Sequence, residues 1–177
     1  MGLSVKKRAV AVATFRYIHV ALMETLAAWT PTTPEMEVKW LFGEHIWDVA
    51  QHADALGKRT HELRQPLHHS LPPVEGYSEL LNLVRQEVET PRRVSGYYDA
   101  LLPGLGARYR KYLEATDLLM DAPTVRIIEQ WRDTEFRMIQ QSRDVRTELS
   151  MSTNLADSWL VALIEKESKI ESLVQQN

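Results

Sequence analysis

Four proline-bearing breaks, TPTTP at 30–34, QPLHHSLPPVEG at 65–76, LPGLG at 102–106 and DAPT at 121–124, constrain this chain more than any other feature. The stretches between them carry apolar residues at helical spacing, and no run alternates cleanly over more than four residues. Strands are therefore not expected, and the reading is all-α. Helix A runs from about Val5 to Trp29 and is stopped by TPTTP. Thr33-Pro34-Glu35 reads as the start of helix B, with a capping hydroxyl, a proline and an early acid. Helix B extends to about Leu63, with Gly57 a weak point in its interior. Residues 65–76 read as a loop, and YSELLNLVRQEVE as a short helix. Helix C covers about Arg92 to Asp117, and Pro103 should kink or break it by removing a donor and crowding the preceding turn. Helix D runs from a cap at Asp121 to about Leu149. After a break at SMSTN, a last helix from about Asn154 carries Leu155, Trp159, Leu163 and Ile170 on one stripe, and its end should fray.

This order (A–B, a long connection, C–D, an extra helix) is the outline of a four-helix bundle with one crossover, a short crossover helix and a C-terminal addition. A chain of 177 residues suits one domain, 1–177, with an ample core. The absence of cysteine excludes disulfides, thiolate metal sites and cysteine nucleophiles, and is compatible with a cytoplasmic location. A net charge of −3, with no basic run longer than Lys6-Lys7-Arg8, gives no footing for nucleic acid. The basic start followed by AVAVATF imitates a signal peptide, but Arg16, His19 and Glu24 interrupt it, so it reads as a helix. A membrane span is not expected, since no stretch approaches about 18 unbroken apolar residues. The stripe of Leu155, Trp159 and Leu163 suggests an uncovered surface and a homodimer.

Polar residues inside these apolar helices are the candidates for chemistry. EHIWDVAQHADAL places His45, Asp48 and His52 at i, i+3 and i+7, on one face of helix B. Two histidines and a carboxylate at that spacing suit a divalent metal, an acid/base pair or a hydrogen-bonded polar seam. In helix A, Glu24 lies five residues after His19, so the two point about 140° apart. An acid there is costly to bury unless it is paired or metal-bound. In helix D, Glu129 and Asp133 share a face, with Glu135 two residues on; Arg126, Arg132 and Arg137 offer ordinary solvated partners. His68-His69 reads as a surface loop, and Tyr97-Tyr98, Tyr109 and Tyr112 as packing. No Gly-rich phosphate loop or serine nucleophile elbow is present.

The blocks FRYIHVALMETLAAW, IWDVAQHADALGKR and DAPTVRIIEQWRDTEF resemble the ferritin-like superfamily, with the nearest likeness to its rubrerythrin-related branch. The resemblance spans roughly Arg16 to Gln140, with a gap over the proline-rich connection. It implies a four-helix bundle holding two metals by a carboxylate from each of two helices and Glu-x-x-His from each of the others. Glu24 matches the carboxylate of helix A and His52 the histidine of helix B, but Val49 stands where a bridging glutamate belongs. Asp133 matches the acid of helix D, but Phe136 stands at its histidine. Helix C offers Asp99 and Glu114 without clear placement. Valine and phenylalanine cannot bind metal, so the resemblance implies a centre that is lost or reworked. A smaller site would draw on His52, Glu24, His45, Asp48 and Asp133, with His19 and Glu129 if they face inward.

Three functions stay open. The first is a small-molecule-processing enzyme in which His52, Glu24, His45, Asp48, His19 and Glu129 do acid/base work in the core, with no cofactor. The second is an oxidase or oxygenase with residual iron or manganese. The third is a non-catalytic helical binding protein. The first is the leading expectation, with His52 and Glu24 pointing inward across from Glu129.

Overall fold

The computed structural model describes residues 2–151 and 157–174. Every regular element among them is helical. Helix α1 spans Val5–Trp29 and α2 Met36–Glu62. The connection carries α3, Glu75–Arg85. Helix α4, Thr90–Ser95, passes through a π turn, Gly96–Leu101, into α5, Leu102–Ala115. Helix α6 spans Ala122–Glu148 and α7 Ser158–Ser168.

Local chemistry explains most ends. Ser4 caps α1 by accepting from the Lys7 amide at 3.3 Å. The start of α2 differs from expectation. Its N-cap is Glu35, without a side-chain cap bond, and the Thr33 hydroxyl donates backward to the Trp29 carbonyl. Asp121 does precede α6, but its carboxylate serves a buried cluster instead of a free helix amide. At Pro103 the α-helical pattern is interrupted, as a π turn and not as a chain break. The proline sits in the first turn of α5, and the π turn before it absorbs the missing donor, with the Leu102 amide reaching back to the Tyr97 carbonyl. Gly57 is no weak point: a Cβ there would stand 2.1 Å from Nδ1 of His68, so glycine lets the connection cross α2 closely.

Cross-helix pairs set the directions. Trp29 meets Phe42, and His19 meets His52, so α1 and α2 are antiparallel. Phe15 meets Tyr112 and Trp29 meets Tyr97, so α1 also opposes the α4–α5 helix. Helix α6 opposes α2, with Arg59 on Thr124 and His45 on Gln141. It also opposes α5, as the pairs Tyr112–Asp121 and Asp99–Arg146 show. The core between these helices is built of Val12, Ile18, Leu22, Leu26, Phe42, Leu56, Leu105 and Ile128, all essentially inaccessible to solvent. Each such side chain contributes about 1.5 to 3 kcal/mol by leaving water.

Two surface expectations change. Leu155 lies outside the described residues, but the rest of the C-terminal stripe is covered by its own chain. Leu163 is buried, Ile170 is half-buried, and the Trp159 ring packs on Gly96. Among the described residues the most exposed aromatics are instead Trp40 and Trp47, two turns apart on α2, and Phe136 on α6. Helix α1 with the turn after it, Val5–Thr32, is long and apolar enough to cross a membrane by length and composition alone, contrary to the count of unbroken apolar residues. In this fold about half of its most apolar window, 56%, is buried.

Candidate functional site

One side chain from each of the four long helices meets at one level of the core: His19 from α1, His52 from α2, Tyr109 from α5 and Trp131 from α6. Tyr109 Oη lies 2.7 Å from Nε2 of His19 and 3.1 Å from Nε2 of His52. The two imidazoles lie 4.3 Å apart between centroids, and the Trp131 ring covers both, at 4.3 and 4.7 Å. A phenol has one proton to give, so one imidazole must donate to Tyr109 while the other accepts from it. Nδ1 of His19 is buried without a partner. A bare lone pair is better tolerated there than an orphaned N–H. Hydrogen-bond logic thus puts the His19 proton on Nε2, donating to Tyr109, which in turn donates to His52.

This cluster is neutral near pH 7. Burial holds His19 well below the usual imidazole range, and the neighbouring His52 adds to the effect. Burial brings His52 down to about 3. Burial, with Glu135 and Tyr77 nearby, raises the Tyr109 phenol well above its usual range.

A second polar layer lies two turns along α2. Tyr98 Oη lies 2.7 Å from Nδ1 of His45, whose Nε2 lies 3.0 Å from Oε1 of Gln141. Gln141 passes its amide N–H to Glu44 at 3.0 Å, so its oxygen faces the histidine. His45 therefore donates through Nε2 and accepts at Nδ1. Burial also lowers its titration.

The other sequence candidates go elsewhere. Glu24, expected inside, is exposed and pairs with Arg85 at 3.4 Å. Asp48 stays near enough to act on His45, but its carboxylate pairs with Arg137 at 2.8 Å. Glu129 and Asp133 are exposed on α6, so the side chain facing His52 from that helix is Trp131. Asp99 is held by two bonds from Arg146, at 2.6 and 3.1 Å. Glu114 is exposed.

The metal that the ferritin-like resemblance implies does not fit these residues. No group of three or more His, Asp or Glu side chains able to hold an ion occurs among the described residues. At the level of His52 both Nε2 atoms are tied to one phenol, and Trp131 occupies the side facing α6. The smaller set of His52, Glu24, His45, Asp48 and Asp133 is not brought together.

A different acid emerges beside the cluster. Glu135 is 8% exposed and forms no hydrogen bond or ion pair among the described residues. It lies one turn beyond Trp131 on α6 and directly over Gly106, one turn before Tyr109 on α5. A Cβ at Gly106 would come within 2.6 Å of Oε1, so glycine makes the seat of the carboxyl. Burial raises Glu135 to about 7, against the opposing pull of Arg110 and Arg132. It sits in an open groove of about 490 Å³ between α5 and α6, lined also by Glu129, Arg132, Asp133, Phe136 and Ile139. Glu129 and Asp133 thus share a groove with Glu135 but not a core with His52.

Sequence reasoning passed over Tyr109, Trp131, Gln141 and Glu135 as site residues. For Glu135 a signal existed. Ile128, Trp131, Glu135, Met138 and Ser142 follow one another at spacings of three and four and are all buried. An acid on that stripe stands out from its exposed neighbours.

No family model, no curated protein and no solved structure matches this chain.

Proposed function

We propose that this chain is a small-molecule-processing enzyme on a ferritin-like bundle whose di-metal centre is lost, with Glu135 as its proton-transfer group. The bundle reading is supported by helix direction. Helices α2 and α5 both oppose α1, so they run parallel, and a parallel pair needs a connection as long as the bundle. Residues 63–89, with α3 among them, supply such a crossover, which is the ferritin-like layout.

The reading rests on one observation: a nine-tenths buried, unpartnered carboxyl that opens to a groove. A largely covered carboxyl without a hydrogen-bond partner is costly to ionise, and its oxygens face the groove under the influence of Arg110 and Arg132. A titration near 7 makes such a group equally able to give and to take a proton at neutral pH. Arg110 and Arg132 stand where negative charge on a bound molecule would be offset. Tyr109, His19 and His52 are positioning residues in this scheme. They hold Trp131, and with it the α6 face that carries Glu135.

The test is the carboxyl itself. Carbon-detected NMR on glutamate-labelled protein should show one side chain titrating near pH 7, missing in Glu135→Gln. A small-molecule library screened by thermal shift should give hits that the same variant loses. Titration of Glu135 in the ordinary carboxylate range, or hits indifferent to the variant, would overturn the assignment.

A further inference from the structure

Five charged side chains line the α5–α6 groove, and none forms a hydrogen bond or ion pair among the described residues: Arg110, Glu129, Arg132, Asp133 and Glu135. The charged groups that act on Glu135 are Arg110 from α5 and Arg132 from α6. The other titratable groups behind Glu135 are Tyr109 from α5, His52 from α2 and His19 from α1, all neutral at pH 7. Within this mixed lining, the charges closest in effect to Glu135 are the two guanidiniums. Glu129 and Asp133, exposed like the two arginines, line the same groove. Phe136, 67% exposed, and the half-buried Ile139 give the same groove an apolar wall.

We infer that this groove binds a small organic carboxylate with an apolar body, its anion set between Arg110 and Arg132 and hydrogen-bonded by the carboxylic acid of Glu135. This rests on the assignment of Glu135 as the proton-active group. Guanidinium matches carboxylate in shape as well as charge, and two of them on different helices can clamp one anion. A protonated Glu135 then shares its proton with the ligand, as two carboxyl groups in close contact must hold one proton between them. A dianion such as phosphate is disfavoured by Glu129 and Asp133, which line the same groove. An amine would have to displace the positive field of both arginines. The apolar body of the ligand lies against Phe136 and Ile139.

Benzoate, benzamide, benzylamine and inorganic phosphate serve as probes, titrated into the full-length protein by calorimetry at pH 6 and pH 8. Benzoate is ionised at both values, so any pH dependence belongs to the protein. It should bind at least tenfold more tightly than the other three. Its affinity should fall about tenfold from pH 6 to pH 8, as a group titrating near 7 loses its proton. In Glu135→Gln the pH dependence should vanish while binding persists, since an amide N–H replaces the acid O–H. Arg110→Gln and Arg132→Gln, both at exposed positions, should each weaken benzoate about tenfold or more at either pH. Circular dichroism of each variant separates lost binding from lost fold. Preference for benzylamine or phosphate would overturn the ligand class. So would the absence of benzoate binding while Glu135 still titrates near 7, which leaves the proton-transfer reading standing. A Glu135 that titrates as an ordinary carboxyl removes both.

Discussion

His19 and His52, on adjacent antiparallel helices, are joined through a single phenol: Tyr109 Oη is 2.7 Å from one Nε2 and 3.1 Å from the other. Tyr109→Phe keeps the ring and its contact with Phe15 but strands both nitrogens in a dry core. An unsatisfied buried group costs about 1 to 3 kcal/mol, so the variant should lose about 2 to 4 kcal/mol while staying helical. Urea unfolding checks this. An unchanged midpoint would mean that the nitrogens find water or other partners.

The same histidines make the fold acid-sensitive. Both are held neutral by burial, with His52 near 3, whereas in the unfolded chain an imidazole titrates near 6.5. The unfolded state therefore takes up their protons first. Stability is complete above about pH 6.5 and falls below it, by about 1.4 kcal/mol per pH unit for each histidine. Denaturation midpoints measured from pH 7 to pH 5 should fall steadily. In His52→Gln the slope should be smaller.

Glu135 works in the opposite sense. Its folded-state value, about 7, lies above that of an unfolded glutamate, so the stability it contributes as a neutral acid is lost as pH rises through 7. Glu135→Gln should be about 1 to 3 kcal/mol more stable than the parent at pH 8, with the gain shrinking by pH 5. Gly106→Ala should push the carboxyl from its seat, since the added carbon meets Oε1 at 2.6 Å. The expected NMR signature is a Glu135 titration moved back towards the usual carboxylate range.

Elemental analysis of protein purified from iron- or manganese-rich culture should find well under two ions per chain. The reason is chemical, not the lack of a bound ion. Val49 and Phe136 offer no donor where the resemblance expects two, Glu24 is committed to Arg85, and Asp48 to Arg137. Two ions per chain would show that the helices pack in another register.

Much of this arrangement could be read from period and punctuation. The prolines at 31, 34, 66, 91 and 123 all stand at or beside helix ends, and the one at 103 follows a π turn that interrupts its helix. The form of the interruption was not legible, because the π turn also carries contacts made far along the chain, Gly96 with Trp159 and Asp99 with Arg146. The histidines of helix B were visible because 3.6-residue spacing collects them on one face. Their partners were not, because Tyr109 and Gln141 sit 57 and 96 residues away and nothing local marks a tyrosine as a bridge. Glu24 misled for the converse reason. Its neighbours are apolar, but the chain passes Arg85 within reach, and a solvated pair at the edge is easier than a buried acid.

Trp131 gives the core an optical consequence. Its indole lies against both imidazoles, at 4.3 and 4.7 Å between centroids. An imidazolium accepts an electron from an excited indole far more readily than a neutral imidazole does. Trp131 therefore emits while the two rings are uncharged and goes dark when either takes up a proton. Trp40 and Trp47, out in water on α2, emit further to the red and stand apart from this signal. With Trp29, the other fully buried indole, replaced by phenylalanine, the blue edge of the emission spectrum becomes a gauge of the charge state of the interior, legible without any label.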